Sequence, residues 1–238
     1  MTESEPFEGF PKKALLFFKE LGRNNEREWF NEHKGDYQEY VLKPAQSFVS
    51  TLGRKLRTIS EGLEYDTSTG GRGSIMRIYR DIRFSKDKRP YYDYLRTIFW
   101  EGIGKKTENP GFMFWMSSEE GGIYGGLHVF PKPLLATYRE AVDHEIMGPA
   151  LEKAVSKVSS KEGYTVGKEH FKKVPGGYDP DHKRAALLKY NGLYSIGPSI
   201  QKPVLTRPDL VDEVFEQCKK MTPIYKWLNK LIAGKAQW

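Results

Sequence analysis

Arg77, Arg80 and Arg83 recur every third residue in the run R-I-Y-R-D-I-R-F-S-K-D-K-R-P-Y, which ends at Tyr91. Guanidinium groups this close repel one another unless negative charge sits among them. Asp81 can hold one or two of them in fork-shaped pairs that fix their planes. The donors left over are then free to clamp a phosphate, sulfate or carboxylate. Ser85 adds a hydroxyl, Lys88 a point charge and Tyr91 a phenol, and Asp87 to Pro90 read as a rigid turn that brings Lys88 back towards the arginines. Arg77, Arg80, Asp81, Arg83, Ser85, Asp87, Lys88 and Tyr91 are therefore the expected anion-binding set. Should the site carry a reaction, Asp81 or Asp87 is the acid/base and Tyr91 a hydrogen-bond donor.

Two other readings use the same residues. In one, Asp81 and Asp87 only neutralise their neighbours, and the cluster is a structural salt-bridge network at a sheet edge. In the other, the basic patch binds nucleic acid, with the aromatic runs Phe112 to Met116 and Tyr124 to Phe130 as stacking platforms. The close spacing of the arginines favours a pocket for one small anionic ligand over a spread surface.

Further motifs carry less. Asp179, Asp181 and His182 could ligate a metal, but an N-cap at Asp179 and a first-turn charge at Asp181 explain them more simply. His33, His128, His144 and His170 lack H-E-x-x-H spacing. Ser85 to Lys88 fits S-x-x-K by letter, yet Pro90 opposes the helix that chemistry needs. The Gly70 to Ser74 loop could lend backbone amides to an anion. No metal and no cofactor is expected.

Composition frames these motifs. The chain has 238 residues, 38% of them hydrophobic and 13% aromatic, enough for a substantial core. Its net charge is +7, and ten Lys and Arg against four Asp and Glu place +6 of it between Arg72 and Lys106. Such a concentrated field attracts anions. One cysteine, Cys218, excludes an internal disulfide and a cysteine zinc site. The acidic N-terminus argues against a signal peptide, and no apolar run could span a bilayer, so a cytoplasmic location and no membrane partner are expected.

The elements that must position the arginines follow from periodicity. Leu15, Phe18 and Leu21 share a helical face that Gly22 would close. Asn25 would start a second helix with Glu28 as its capping-box partner, and Trp29 and Phe30 would pack inward. A third runs through Pro44 with Phe48, Leu52 and Leu56 at helical spacing, followed by a loop from Glu61 to Ser74. Leu95 to Trp100, Phe112 to Met116 and Ile123 to Phe130 read as consecutive strands, the last two joined through Glu119 to Gly122. Helices return over Pro131 to Val142, from Asp179-Pro180 to Asn191-Gly192, over Asp209 to Met221 and over Pro223 to Ile232. The arginine run itself is ambiguous: a strand would put Met76, Ile78, Ile82 and Phe84 on one face, a helix Ile75, Ile78, Tyr79 and Ile82, and its β-branched and aromatic content favours the strand. The expected fold is α+β: N-terminal helices, a central antiparallel sheet and C-terminal helices packed on it, in a single domain over 1–238.

The signature R-x-x-R-D-x-R-F-S-x-D-K-x-P-Y, from Arg77 to Tyr91, resembles that of the bacterial family known as domain of unknown function 2461. Asn25 to Phe30 is similar to its N-x-R-E-W-F motif, and Gly177 to His182 to its G-[FY]-D-P-D-H motif. The likeness spans nearly the whole chain. It implies a compact bacterial protein of about this length, stresses Arg77, Arg80, Asp81, Arg83, Phe84, Asp87, Lys88 and Tyr91, and assigns none of them a catalytic role.

Overall fold

A computed structural model of the chain describes residues 6–234. Residues 1–5, on which the expectation about a signal peptide rests, lie outside them. The N-terminal helices form where apolar residues recur at helical spacing. Helix α1 (Lys12–Arg23) buries Ala14, Leu15, Phe17, Phe18 and Leu21. Gly22 does not end it; the helix continues to Arg23, and the backbone of Gly22 lies beside Asp93, whose carboxylate would stand 3.4 Å from a Cβ there. After α2 (Arg27–Glu32) and the single turn α3 (Lys34–Asp36), Tyr37–Leu42 widens into a π-helical stretch before α4 (Lys43–Leu56). Pro44 accounts for the widening. It has no N–H to offer the carbonyl of Tyr40, and its ring would crowd that carbonyl in an ordinary turn. Phe48, Leu52 and Leu56 are fully buried along α4.

The middle of the chain supplies a seven-stranded antiparallel sheet from β1 (Leu63–Glu64), β2 (Leu95–Glu101), β3 (Gly111–Met116), β4 (Glu120–Leu127), β5 (Thr165–Val166), β6 (Leu193–Ile196) and β7 (Ile200–Gln201). Their order is β1-β2-β3-β4-β6-β5, with β7 on the other end of β4. Tyr124 faces Ile196 where β4 meets β6, and Gly121 faces Ile200 where it meets β7. The hairpin before β4 is tighter than the glycines suggest: the Ser117 N–H donates to the Glu120 carbonyl at 2.8 Å. Gly121 and Gly122 lie inside the strand, where a Cβ would stand 2.8 Å from the carbonyl and from the indole Nε1 of Trp115, respectively. Gly121 is crowded by the Trp115 carbonyl and the Leu205 side chain and Gly122 by the Trp115 indole, so close neighbours in the sheet, not a turn, call for glycine there.

The remaining helices are α5 (Lys132–Asp143), α6 (Met147–Ser159), the short α7 (Ala185–Leu188) and α8 (Lys202–Leu205), and the long α9 (Leu210–Ala233). Two helices expected around Pro223 are one, because the buried stripe of Cys218, Met221, Ile224, Tyr225 and Leu228 continues through it. Burying each such side chain contributes about 1.5–3 kcal/mol, which together outweigh the ~3 kcal/mol cost of an internal proline. The helix expected from Asp179 is reduced to α7. Asp179 instead closes a turn on the Asp181 N–H, and Arg184 is drawn away to α5. No helix among the described residues is long and apolar enough to cross a membrane.

The contacts gather into two compact units, each assembled from non-consecutive stretches, so no linker marks a boundary. Among the described residues the first comprises 6–99, 113–123 and 199–216, and its core is aromatic: Phe10, Phe48 and Phe114 cluster with ring centroids 4.7–6.4 Å apart. The second comprises 100–112, 124–198 and 217–234. There α9 packs on the sheet through Tyr225, 4.9 Å from the Phe112 ring, and through Met221, which lies against Gly125.

Candidate functional site

The arginine run is neither a full strand nor a helix. It is a strap that pairs briefly with β2 and then with its own return. Met76 N–H donates to the Arg96 carbonyl at 3.0 Å, and Ile75 forms a bridge with Thr97. Further out, Tyr92 N–H donates to the Ile78 carbonyl and Arg80 N–H to the Pro90 carbonyl, both at 2.8 Å, around a bridge between Tyr79 and Tyr91. Of the face expected to pack together, Ile78 is buried whereas Phe84 is 95% exposed at the tip.

Residues from the start of the chain hold the base of this strap. Asn25 does not cap α2. Its Nδ2 donates to the Tyr91 carbonyl at 3.1 Å and its Oδ1 accepts from the Tyr91 N–H at 3.0 Å, so one amide does the work of a neighbouring strand. Phe30 stacks on the Tyr91 ring at 4.3 Å and meets Tyr79 edge-on at 5.8 Å. Trp29 is half-buried and stacks on His33 at 4.0 Å.

The charged side chains divide into two groups. On the outer part of the loop, Asp81 takes a two-pronged pair from Arg83, with Nε donating to Oδ1 at 3.0 Å and NH2 to Oδ2 at 2.7 Å. These hydrogen bonds hold the Asp81 carboxyl down to about 2, with the Arg77 charge adding to the effect. At the strap's return, Asp87 is shared: Arg80 meets its Oδ2 at 2.7 Å and Arg89 at 2.9 Å. Its carboxyl is lowered further still, chiefly by Arg89. Both aspartates are thus ionised far below neutral pH and are poor proton donors or acceptors near pH 7. Lys88 does not return to the arginines; its ammonium donates to the Ile82 carbonyl at 3.1 Å. The half-buried Ser85 gives its N–H to the same carbonyl at 3.3 Å.

Arg80, Arg89, Tyr91, Tyr92, Asp93 and Tyr94 line a cleft of about 130 Å³. Beside it, the guanidinium of Arg96 lies 3.7 Å over the Tyr92 ring, with Tyr94 at 5.6 Å and Arg80 itself 5.7 Å from Tyr92. Three guanidiniums, Arg80, Arg89 and Arg96, thus outnumber two carboxylates, Asp87, which pairs with Arg80 and Arg89, and the more distant Asp93 at 3.5 Å from Arg89. Arg96 has no carboxylate partner among the described residues, and its one side-chain hydrogen bond is a long 3.4 Å contact to the Arg77 carbonyl. Burial raises the phenols of Tyr91 and Tyr94, so both stay protonated donors. The structure therefore brings Arg80, Asp87 and Tyr91 together. It places Asp81 with Arg83 apart in their own pair, and leaves Arg77 exposed.

Arg89, Tyr92, Tyr94 and Arg96 were not singled out by motif reasoning. The alternation Y-x-Y-x-R from Tyr92 to Arg96, leading into β2 whose odd residues Leu95, Thr97 and Phe99 are buried, is the signal that puts them on one face. The other motifs have structural work. The Gly70 to Ser74 loop packs beside Arg77, and the Ser74 amide is bonded to the Asp66 carbonyl. His182 has both ring nitrogens engaged, Nδ1 accepting from the Arg184 N–H at 3.1 Å and Nε2 facing Asp143 at 3.2 Å. Arg184, 3% exposed, donates Nε to the Val142 carbonyl and NH2 to the Asp143 carbonyl, capping the last turn of α5. Among the described residues no group of three His, Cys, Asp or Glu is placed to hold a metal ion.

Fold and site together define an α+β protein with a basic, tyrosine-lined cleft under an arginine strap. The chain belongs to the family described as conserved hypothetical protein DUF2461, whose model matches residues 13–227 and so takes in the strap, its buttress and the Arg184 clasp. No curated protein matches the chain significantly.

Proposed function

We propose that the protein binds, in the cytoplasm, a ligand bearing one carboxylate or phosphate-ester group, and that this group sits among Arg80, Arg89 and Arg96. The observation that carries the reading is the guanidinium of Arg96, without a carboxylate partner among the described residues and held 3.7 Å over the Tyr92 ring beside two arginines that share Asp87. One positive charge is left over beside a cleft lined by Tyr91, Tyr92 and Tyr94. Ordinary ligand pockets measure about 300–1,000 Å³; at about 130 Å³ this cleft admits a charged group and not a whole molecule. Of the residues expected from the motif, Arg80 and Tyr91 line it and Asp87 pairs with its arginines, while Arg77, Asp81, Arg83, Ser85 and Lys88 lie on the strap outside its lining. In this reading Asp81 and Asp87 serve to hold the guanidiniums in place, Asp81 that of Arg83 and Asp87 those of Arg80 and Arg89.

A purely structural network draws on the same pairs, but exposed ion pairs contribute only about 0–1 kcal/mol each. Arg83 is 76% exposed and Arg89 51%, so their pairs add little to stability, whereas Arg80, 17% exposed, is sheltered enough for its pair with Asp87 to add more. Thermal unfolding with added phosphate, sulfate or citrate separates the two readings. Stabilisation of the wild-type protein that Arg96→Met loses and Arg83→Met keeps supports the cleft. No stabilisation by any anion leaves only the network.

A further inference from the structure

We propose that the anionic group taken by this cleft is a phosphodiester of single-stranded nucleic acid, and that Phe84 is the platform on which a neighbouring base stacks; the inference rests on the cleft being an anion site. Phe84 is 95% exposed, in a loop that is far from slack. The Arg83 N–H is bonded to Asp81 at 3.2 Å, the Ser85 N–H to the Ile82 carbonyl, the Lys88 ammonium to that same carbonyl, and the Arg89 N–H to Asp87 at 3.0 Å. These bonds hold the ring out into water on a preorganised tip. The Arg83 guanidinium lies 5.8 Å from the ring with its plane fixed by Asp81, and Lys86 and Lys88 are exposed on the same loop.

A partner for this tip must offer flat apolar faces and negative charge within a few ångströms of each other. Single strands do so: unpaired bases stack on aromatic rings and guanidinium planes while a basic groove follows the phosphates. The single excess charge of the cleft suits a phosphodiester monoanion, and its small volume suits a group carried on a chain. A duplex keeps its bases stacked inside, beyond the reach of Phe84. An anionic bilayer would press Asp81 and Asp87, which flank Phe84 on both sides, against its headgroups, whereas a strand can thread past them.

Fluorescence anisotropy with a short labelled oligothymidine, a duplex of equal length and phosphatidylserine-containing vesicles tests the proposal. The wild-type protein is expected to bind the single strand more tightly than the duplex, with affinity falling log-linearly with salt. Phe84→Ala weakens binding about tenfold or more, as removal of one stacked base does, while Phe84→Tyr retains it. An exposed ring makes both variants safe for folding. Absence of oligonucleotide binding, equal affinity in Phe84→Ala, preference for duplex, or binding of vesicles in place of the strand each overturns the proposal. If oligonucleotide binding fails while phosphate still stabilises the protein through Arg96, this inference alone falls; if both fail, the cleft reading falls with it.

Discussion

The side-chain amide of Asn25 takes both backbone hydrogen bonds of Tyr91, donating to its carbonyl at 3.1 Å and accepting from its N–H at 3.0 Å, across 66 residues of chain. Tyr91 has no strand on that side, and the amide stands in for one. Because Tyr91 is the hinge on which the arginine strap returns, Asn25 and Phe30 tie the start of the chain to the geometry of the cleft.

Asn25→Ala removes both bonds and leaves two partly buried backbone groups without partners. Each hydrogen bond contributes about 1 kcal/mol net, so a loss of about 2 kcal/mol in denaturant unfolding is expected, with the Tyr91 amide exchanging far faster with deuterium. A variant as stable as the wild-type protein, with an equally protected Tyr91 amide, would show that the clasp is incidental.

The Asp81–Arg83 pair makes a prediction with a definite sign. The folded carboxyl is held at about 2, below the value of about 3.9 for a free aspartate. A depressed folded value means the pair's contribution is complete above about pH 3.9 and disappears as pH falls through about 2. A carboxyl-carbon NMR titration should place the Asp81 midpoint near 2, and Arg83→Gln should bring it back up. A wild-type midpoint in the ordinary aspartate range contradicts the pairing.

Arg184 and Gly148 make a second structural pair. A Cβ on Gly148 would stand 2.5 Å from the Arg184 guanidinium, so α6 has glycine where the buried side chain passes on its way to the end of α5. Gly148→Ala is expected to cost about 1–3 kcal/mol through overpacking. Arg184→Lys, which cannot reach both carbonyls in a fork, should cost about 2–3 kcal/mol from lost charge-assisted bonds. Unchanged melting of either variant would remove the clasp as the reason for the motif that precedes it.

Much of the fold was legible because its causes are local. The stripes of α1 and α4 and the alternation of β2 are periodic burial written directly in residue type. The arginine run was legible as a charge cluster for the same reason, but its division between Asp81 and Asp87 was not. Which carboxylate an arginine finds depends on the return of the strap, and that is set by Asn25 and Phe30, far away in the chain. Gly121 and Gly122 misled because a glycine forced by close neighbours in a sheet and a glycine forced by a turn are the same letter. Pro223 misled because its local cost is fixed while the burial that overrides it is tertiary. Arg96 escaped notice because it follows the motif and acts through the face of Tyr92, not through a charge partner.

The most direct test of the cleft is an NMR titration of the arginine Nε–Hε resonances with phosphate. Saturable, concerted shifts of Arg80, Arg89 and Arg96, with Arg83 unmoved in its pair with Asp81, are the predicted result. Shifts that never saturate, or that are as large at Arg83 as at Arg96, would contradict it.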